Sequence, residues 1–149
     1  MPPTGPHLKA AVLCEKVIED KRGVLSLIGI VDRFTQTAIG PGAPNEMPTL
    51  KVSASAVIML VSDEAQGRHD VQLSIRKPSG ISQELGSASV LFEGQDRGAN
   101  LVVQLELVLE GEGLHWIEVR LDDEELLTRM PLRVVYGRMA TARLEPPPA

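Results

Sequence analysis

A single cysteine, Cys14, stands among 149 residues, so no intramolecular disulfide can form and no cysteine pair is there to help bind zinc or iron. Aromatic side chains are nearly as scarce, with two Phe, one Trp and one Tyr, which leaves little for the stacking platforms that hold single-stranded nucleic acid. Positive charge is short as well: 15 Lys and Arg face 20 Asp and Glu, for a net charge of -5. Affinity for phosphate backbones comes from clustered cations releasing counterions, so the balance predicts no nucleic-acid partner. Long apolar runs are missing too. The richest stretch, Ala54 to Val61, is interrupted by Ser55 and bounded by Ser62-Asp63, well below the roughly 18 consecutive apolar residues of a membrane span; no membrane partner is expected. The start, Met1-Pro2-Pro3-Thr4-Gly5-Pro6-His7, lacks the basic region and apolar core of a signal peptide, so the expected location is cytoplasmic.

Enzymatic signatures are also missing. There is no G-x-S-x-G elbow, G-x-x-x-x-G-K-[ST] phosphate loop, G-x-G-x-x-G or H-E-x-x-H, and the reading is of a protein that is not an enzyme and has no catalytic residues. Ser89 with His69 or His115 and an aspartate is the sort of triad that any chain of this size offers. Two histidines of the three, His69 and His115, fall in separate predicted strands, and the third, His7, in the N-terminal tail.

What the chain does have is alternation. Val71, Leu73 and Ile75 alternate with Gln72, Ser74 and Arg76; His115, Ile117, Val119 and Leu121 alternate with Trp116, Glu118, Arg120 and Asp122. This spacing of two puts one face of a strand on a core. Strands are predicted over about Leu8 to Ile18, Val24 to Arg33, Thr49 to Val61, His69 to Lys77, Gln83 to Phe92, Leu101 to Glu110, Leu114 to Leu121 and Leu126 to Tyr136. Phe34 to Pro48, rich in Gly and Pro, reads as a crossing loop. The expected fold is all-β, an antiparallel β-sandwich of about eight strands of Greek-key or jelly-roll type, with a closed barrel as the alternative. A single domain is expected over 8–136, between flexible tails 1–7 and 137–149.

Three stretches carry a resemblance: Leu8 to Asp20 leading into Gly23-Val24-Leu25-Ser26-Leu27-Ile28-Gly29-Ile30-Val31-Asp32, the strand and turn Val71 to Gly80, and Gly113-Leu114-His115-Trp116-Ile117-Glu118-Val119 with Asp122-Asp123-Glu124-Glu125-Leu126-Leu127. They resemble a family of uncharacterised bacterial β-sandwich proteins, a domain of unknown function. The resemblance implies a fold and a bacterial source, and no site. Its closing hairpin usually has a tyrosine where this chain has His115.

Two functions are expected. The first is a non-catalytic interaction or assembly module that binds a protein partner or associates with itself. Trp116, on the polar phase of its strand, with Leu126 and Leu127 on the adjoining one, is the candidate interface. The second is a weak divalent-cation or small-ligand site. Strands running alternately up and down would put four connections at one end, carrying ten of the 20 acidic residues. Carboxylates from separate loops suit calcium, so Asp20, Asp63, Asp122 and Asp123 are the candidate ligands; no other cofactor is expected.

Overall fold

The computed structural model describes residues 4–140; the remainder of the expected tails, 1–3 and 141–149, lies outside them. Among the described residues there are seven strands and no helix. These are β1 (His7–Glu19), β2 (Leu25–Ile30), β3 (Arg33–Ile39), β4 (Leu50–Arg76), β5 (Ser82–Leu109), β6 (Gly113–Leu121) and β7 (Glu125–Met139). They form a single open sheet in the order β2-β1-β4-β6-β7-β3, with β5 paired to β4, so the closed barrel is not formed.

The count differs from eight for a physical reason. Ser62 to Arg68 and Glu93 to Asn100 have turn-like composition, yet they do not connect separate strands. They face each other across the middle of one long hairpin, with Asp63 opposite Gln95 and Gln66 opposite Glu93. Register shifts and positive φ at Asp63, Gly67, Gly94 and Gln95 bend the pair here, as bulges do when extra residues enter a ladder. Four predicted strands therefore become β4 and β5. The seventh strand, β3, lies in the segment read as a loop. It pairs in parallel with β7, from Arg33 opposite Arg133 to Ile39 opposite Met139.

The bend gives β4 two sets of neighbours. Its first half pairs with β1 and its second with β6, while β5 follows it along both. Inward side chains of both halves join one cluster, among them Ala56, Ile58 and Leu105 from the first and Leu73, Phe92, Ile117 and Leu132 from the second. The two ends of the hydrogen-bonded path, β2 and β3, are separated in sequence only by Val31 and Asp32. There the Val31 amide donates to the Leu13 carbonyl at 2.8 Å, and the Arg133 amide donates to the Asp32 carbonyl at 2.9 Å. Cys14 is fully buried, and burial pushes its thiol pKa up, as expected for a small apolar filler.

Residues 4–7, expected in a tail, are tied down. The Thr4 hydroxyl donates to Asp63 at 2.8 Å, the Thr4 amide donates to Glu64 at 2.8 Å, and His7 Nε2 lies 2.6 Å from the Asp63 carboxylate. At the other end, Gly137 to Met139 continue β7.

Candidate functional sites

Alternation along β6 and β7 turns one set of side chains away from the core. Ile117, Val119, Met130, Leu132 and Val134 are buried, so Trp116, Glu118, Arg120, Arg129, Pro131 and Arg133 take the outward phase. Cross-strand pairing brings these into rows: Arg76 with Trp116 and Pro131, Glu118 with Arg129, and Leu114 with Arg133 and Arg33. Five arginines from four strands thus share an outward face. Glu118 is buried among them and bridges Arg76 Nε at 3.3 Å and Arg120 at 3.5 Å, while the exposed Glu125 opens β7 opposite Leu121. The Arg129 guanidinium lies 4.4 Å from the centre of the Trp116 ring, a cation–π contact. Further out, Glu84 on β5 faces Ser74.

The three expected interface residues separate. Trp116 does take the outward phase, but its cross-strand neighbour is Pro131 rather than Leu126 or Leu127. Leu126 is 41% exposed opposite Arg120, while Leu127 packs against the core. Successive strand residues alternate faces, and the register shift between Val119 and Arg120 sets Leu126 opposite the outward Arg120 and leaves Leu127 to turn inward.

Three of the four candidate calcium ligands, Asp20, Asp63 and Asp122, have their carboxylates engaged by separate partners, and Asp123 is tied through its backbone. Asp20 closes its own turn by accepting from the Arg22 and Val24 amides, which hold its pKa down. Asp63 is taken by Thr4 and His7, and the Thr4 hydroxyl does most to lower its pKa. Asp122 accepts from His69 and from the Asp70 amide. The Asp123 amide donates to the Gln72 side chain. Among the described residues no group of three or more His, Cys, Asp or Glu is placed to hold a metal ion. The premise of four connections at one end fails because two of them are the two sides of the bend.

His69 and His115 have opposite environments. His69 Nδ1 is 2.6 Å from Asp122 and Nε2 is 3.0 Å from the Gln66 carbonyl. Both ring nitrogens face acceptors, which favours the imidazolium, and the Asp122 hydrogen bond above all raises its pKa. The Ser89 hydroxyl instead donates to Asp70 at 2.8 Å, so the serine–histidine pairing is not assembled there. His115 is 2% exposed, its Nδ1 3.2 Å from the Gly113 carbonyl, and burial lowers its pKa.

Stability is therefore expected to peak near pH 6.5, the ordinary histidine value. His115 is held neutral, so its contribution is complete above about 6.5 and is lost as pH falls through its lowered folded value. The His69 contribution is complete below about 6.5 and is lost as pH rises through its raised folded value. Urea unfolding across pH 5 to 9 reads both limbs. His69→Gln should flatten the alkaline limb and His115→Phe the acid one; unchanged limbs would contradict the assignments.

With this geometry in place, a family comparison gives residues 9–135 a match to the family of unknown function DUF6941. The chain belongs to that family. No curated protein matches the DUF6941 chain. Among solved structures it is similar to the Pseudomonas fluorescens alkylpurine DNA glycosylase AlkC bound to DNA containing an abasic site analog, with a TM-score of 0.42 and 11% identity. The match covers 84% of the DUF6941 chain and 30% of the glycosylase chain. The expectation of a protein partner is corrected to this extent: no comparison supplies one, and a likeness at this TM-score and identity supplies no other. A net charge of -5 averages over all faces and does not describe the arginines gathered on one. Among the described residues no helix is long and apolar enough to cross a membrane.

Proposed function

We propose that this protein is a non-catalytic β-sandwich binding domain of the bacterial cytoplasm, and that its outward β6-β7-β3 face takes the phosphodiester backbone of a nucleic acid. The sandwich reading is supported by the bend in the long hairpin, whose halves contribute to one core. The observation that carries the ligand reading is the arginine face. Arg33 and Arg133 are paired across β3 and β7, with Arg129, Arg76 and Arg120 on the same outward phase. Arginine suits phosphate because its planar fork donates two parallel hydrogen bonds. Glu118 holds Arg76 and Arg120 in place and neutralises one charge, leaving Arg33, Arg129 and Arg133 as the principal phosphate donors. Asp32 lines the same pocket as Arg129 and Pro131 and offsets part of that charge, while carboxylates more than about 8 to 10 Å away are screened at physiological salt.

The sole tryptophan is part of this face, so its fluorescence is an internal reporter. A single-stranded oligonucleotide is expected to change Trp116 emission, with affinity falling steeply between about 50 and 200 mM salt as counterions are released. Three neutralised phosphates correspond to a logarithmic slope of about -2. Arg129→Ala combined with Arg133→Ala should weaken binding at least about tenfold and flatten that slope. Absence of binding at low salt, or binding to heparin alone, would refute the nucleic-acid reading.

A further inference from the structure

The bend in the long hairpin is fastened from two sides, each time by a histidine that faces an aspartate. On one side the Thr4 hydroxyl and His7 Nε2 meet the Asp63 carboxylate at 2.8 and 2.6 Å. On the other, the His69 ring spans from the bend to the turn between β6 and β7, with Nε2 3.0 Å from the Gln66 carbonyl and Nδ1 2.6 Å from Asp122. Asp122 is also tied to β4 without the ring. Its second carboxylate oxygen accepts from the Asp70 amide at 2.9 Å, and its own amide donates to the Asp70 carbonyl at 2.7 Å. Gln66 belongs to the bend itself: it lies opposite Glu93, and its side chain packs over Gly94, where an added Cβ would meet Gln66 Nε2 at 3.3 Å.

The two fastenings differ in the protons they need. His7 meets Asp63 through Nε2 alone, and a neutral ring can still donate from that nitrogen. His69 faces an acceptor at each nitrogen, and an imidazole donates to both only as the imidazolium. On losing one proton the ring keeps the one on Nδ1, because a hydrogen bond to a charged carboxylate is stronger than one to a neutral carbonyl. The Nε2 lone pair then faces the Gln66 oxygen at 3.0 Å, two acceptors in contact. We propose that His69 is a proton-operated clasp: the protonated ring ties the bend to the β6–β7 turn, and loss of one proton frees the bend at Gln66 while the turn stays attached. The charged groups facing the ring are Asp122 from the turn and Asp70 on its own strand, and both favour the imidazolium. From β5 come only the Phe92 ring, at 5.3 Å, and the Ser89 hydroxyl, which donates to Asp70. Chiefly through the Asp122 hydrogen bond, the change falls above the ordinary histidine value of about 6.5. The clasp is therefore closed below that midpoint and open above it, and it does not depend on the arginine face.

The test follows the full chain by nuclear magnetic resonance from pH 5 to 9.5. Long-range proton–nitrogen correlations of the His69 ring should show both nitrogens protonated at the acid end and only Nδ1 protonated at the alkaline end. Across the same midpoint, hydrogen exchange of the hydrogen-bonded amides among Gln66, Gly67, Phe92 and Glu93 should quicken at least about tenfold beyond its intrinsic pH dependence, the loss expected when a charge-assisted hydrogen bond is broken. The Gly23 and Gly80 amides, bonded within separate turns, should follow the intrinsic dependence alone. Asp122→Asn keeps a residue that tolerates the left-handed backbone there, with φ of +51°, and removes the charge. It should move the midpoint down by about one pH unit or more. His69→Gln should abolish the extra exchange step; should that variant fail to fold, Asp122→Asn and the unaltered protein still decide the matter. A ring that loses its proton from Nδ1 first, a titration without extra exchange at the bend, or an exchange step that survives in His69→Gln or keeps its midpoint in Asp122→Asn overturns the proposal.

Discussion

Phe92→Ala is expected to destabilise the fold by about 3 to 5 kcal/mol, the usual loss when a fully buried aromatic is cut back to a methyl group. Phe92 is 1% exposed and sits opposite Gly67, where the long hairpin begins to bend. Its ring lies 5.3 Å from that of His69, so it also backs the His69–Asp122 pair. A collapse of the cavity is hindered because bulged backbone on both strands fixes the surroundings. Since a domain has only about 5 to 15 kcal/mol in total, the loss is a large fraction of it. The adjacent Leu91, 50% exposed, is the control, and Leu91→Ala should stay within about 0.5 kcal/mol. Denaturant unfolding of both variants checks the contrast, and similar losses would mean that the bend does not place Phe92 inward.

A larger effect is expected one position apart on β7. Leu132→Asp puts a carboxylate at a site with no exposed surface, opposite the buried His115 across the ladder. An uncompensated buried charge costs several kcal/mol, and the lost leucine packing adds about 2 to 5, together enough to unfold a typical domain. Arg133→Asp, on the outward phase and paired with Arg33, should leave the protein folded while reversing charge on the proposed nucleic-acid face. Circular dichroism of the two variants tests the register, and oligonucleotide titration of the second tests the face. A folded Leu132→Asp protein would place the core elsewhere.

The sequence made the strand faces legible where apolar and polar side chains alternate cleanly. Val71, Leu73 and Ile75 are buried as their spacing requires, and so are Ile117, Val119 and Leu121. The β3 strand escaped because its inward residues are Phe34, Gln36 and Ala38 and its outward ones Arg33, Thr35 and Thr37, a weak contrast that the following Gly40-Pro41-Gly42 overwhelmed. The bend escaped for a different reason. Gly and Asp signal positive φ, but a chain reversal and a bulge both use it, and only the pairing of Asp63 with Gln95 separates them. As for the sites, the outward phase of Trp116 could be read from a single strand, whereas the arginine cluster depends on which strands are neighbours. The parallel pairing of β3 with β7, which brings Arg33 to Arg133, has no local signature.

That pairing has a consequence for biosynthesis. Each β3 residue finds its ladder partner a hundred positions later in the chain, as Arg33 does in Arg133. During translation from the N-terminus, β3 leaves the ribosome long before β7 is made, and it must wait with its amides and carbonyls unsatisfied on that side. Distant pairings of this kind raise contact order and slow folding, and an unpaired strand edge invites association with other nascent chains. The exposed Arg33, Thr35 and Thr37 of β3 are suited to that interval, because a charged, hydroxyl-bearing edge keeps a waiting strand in water.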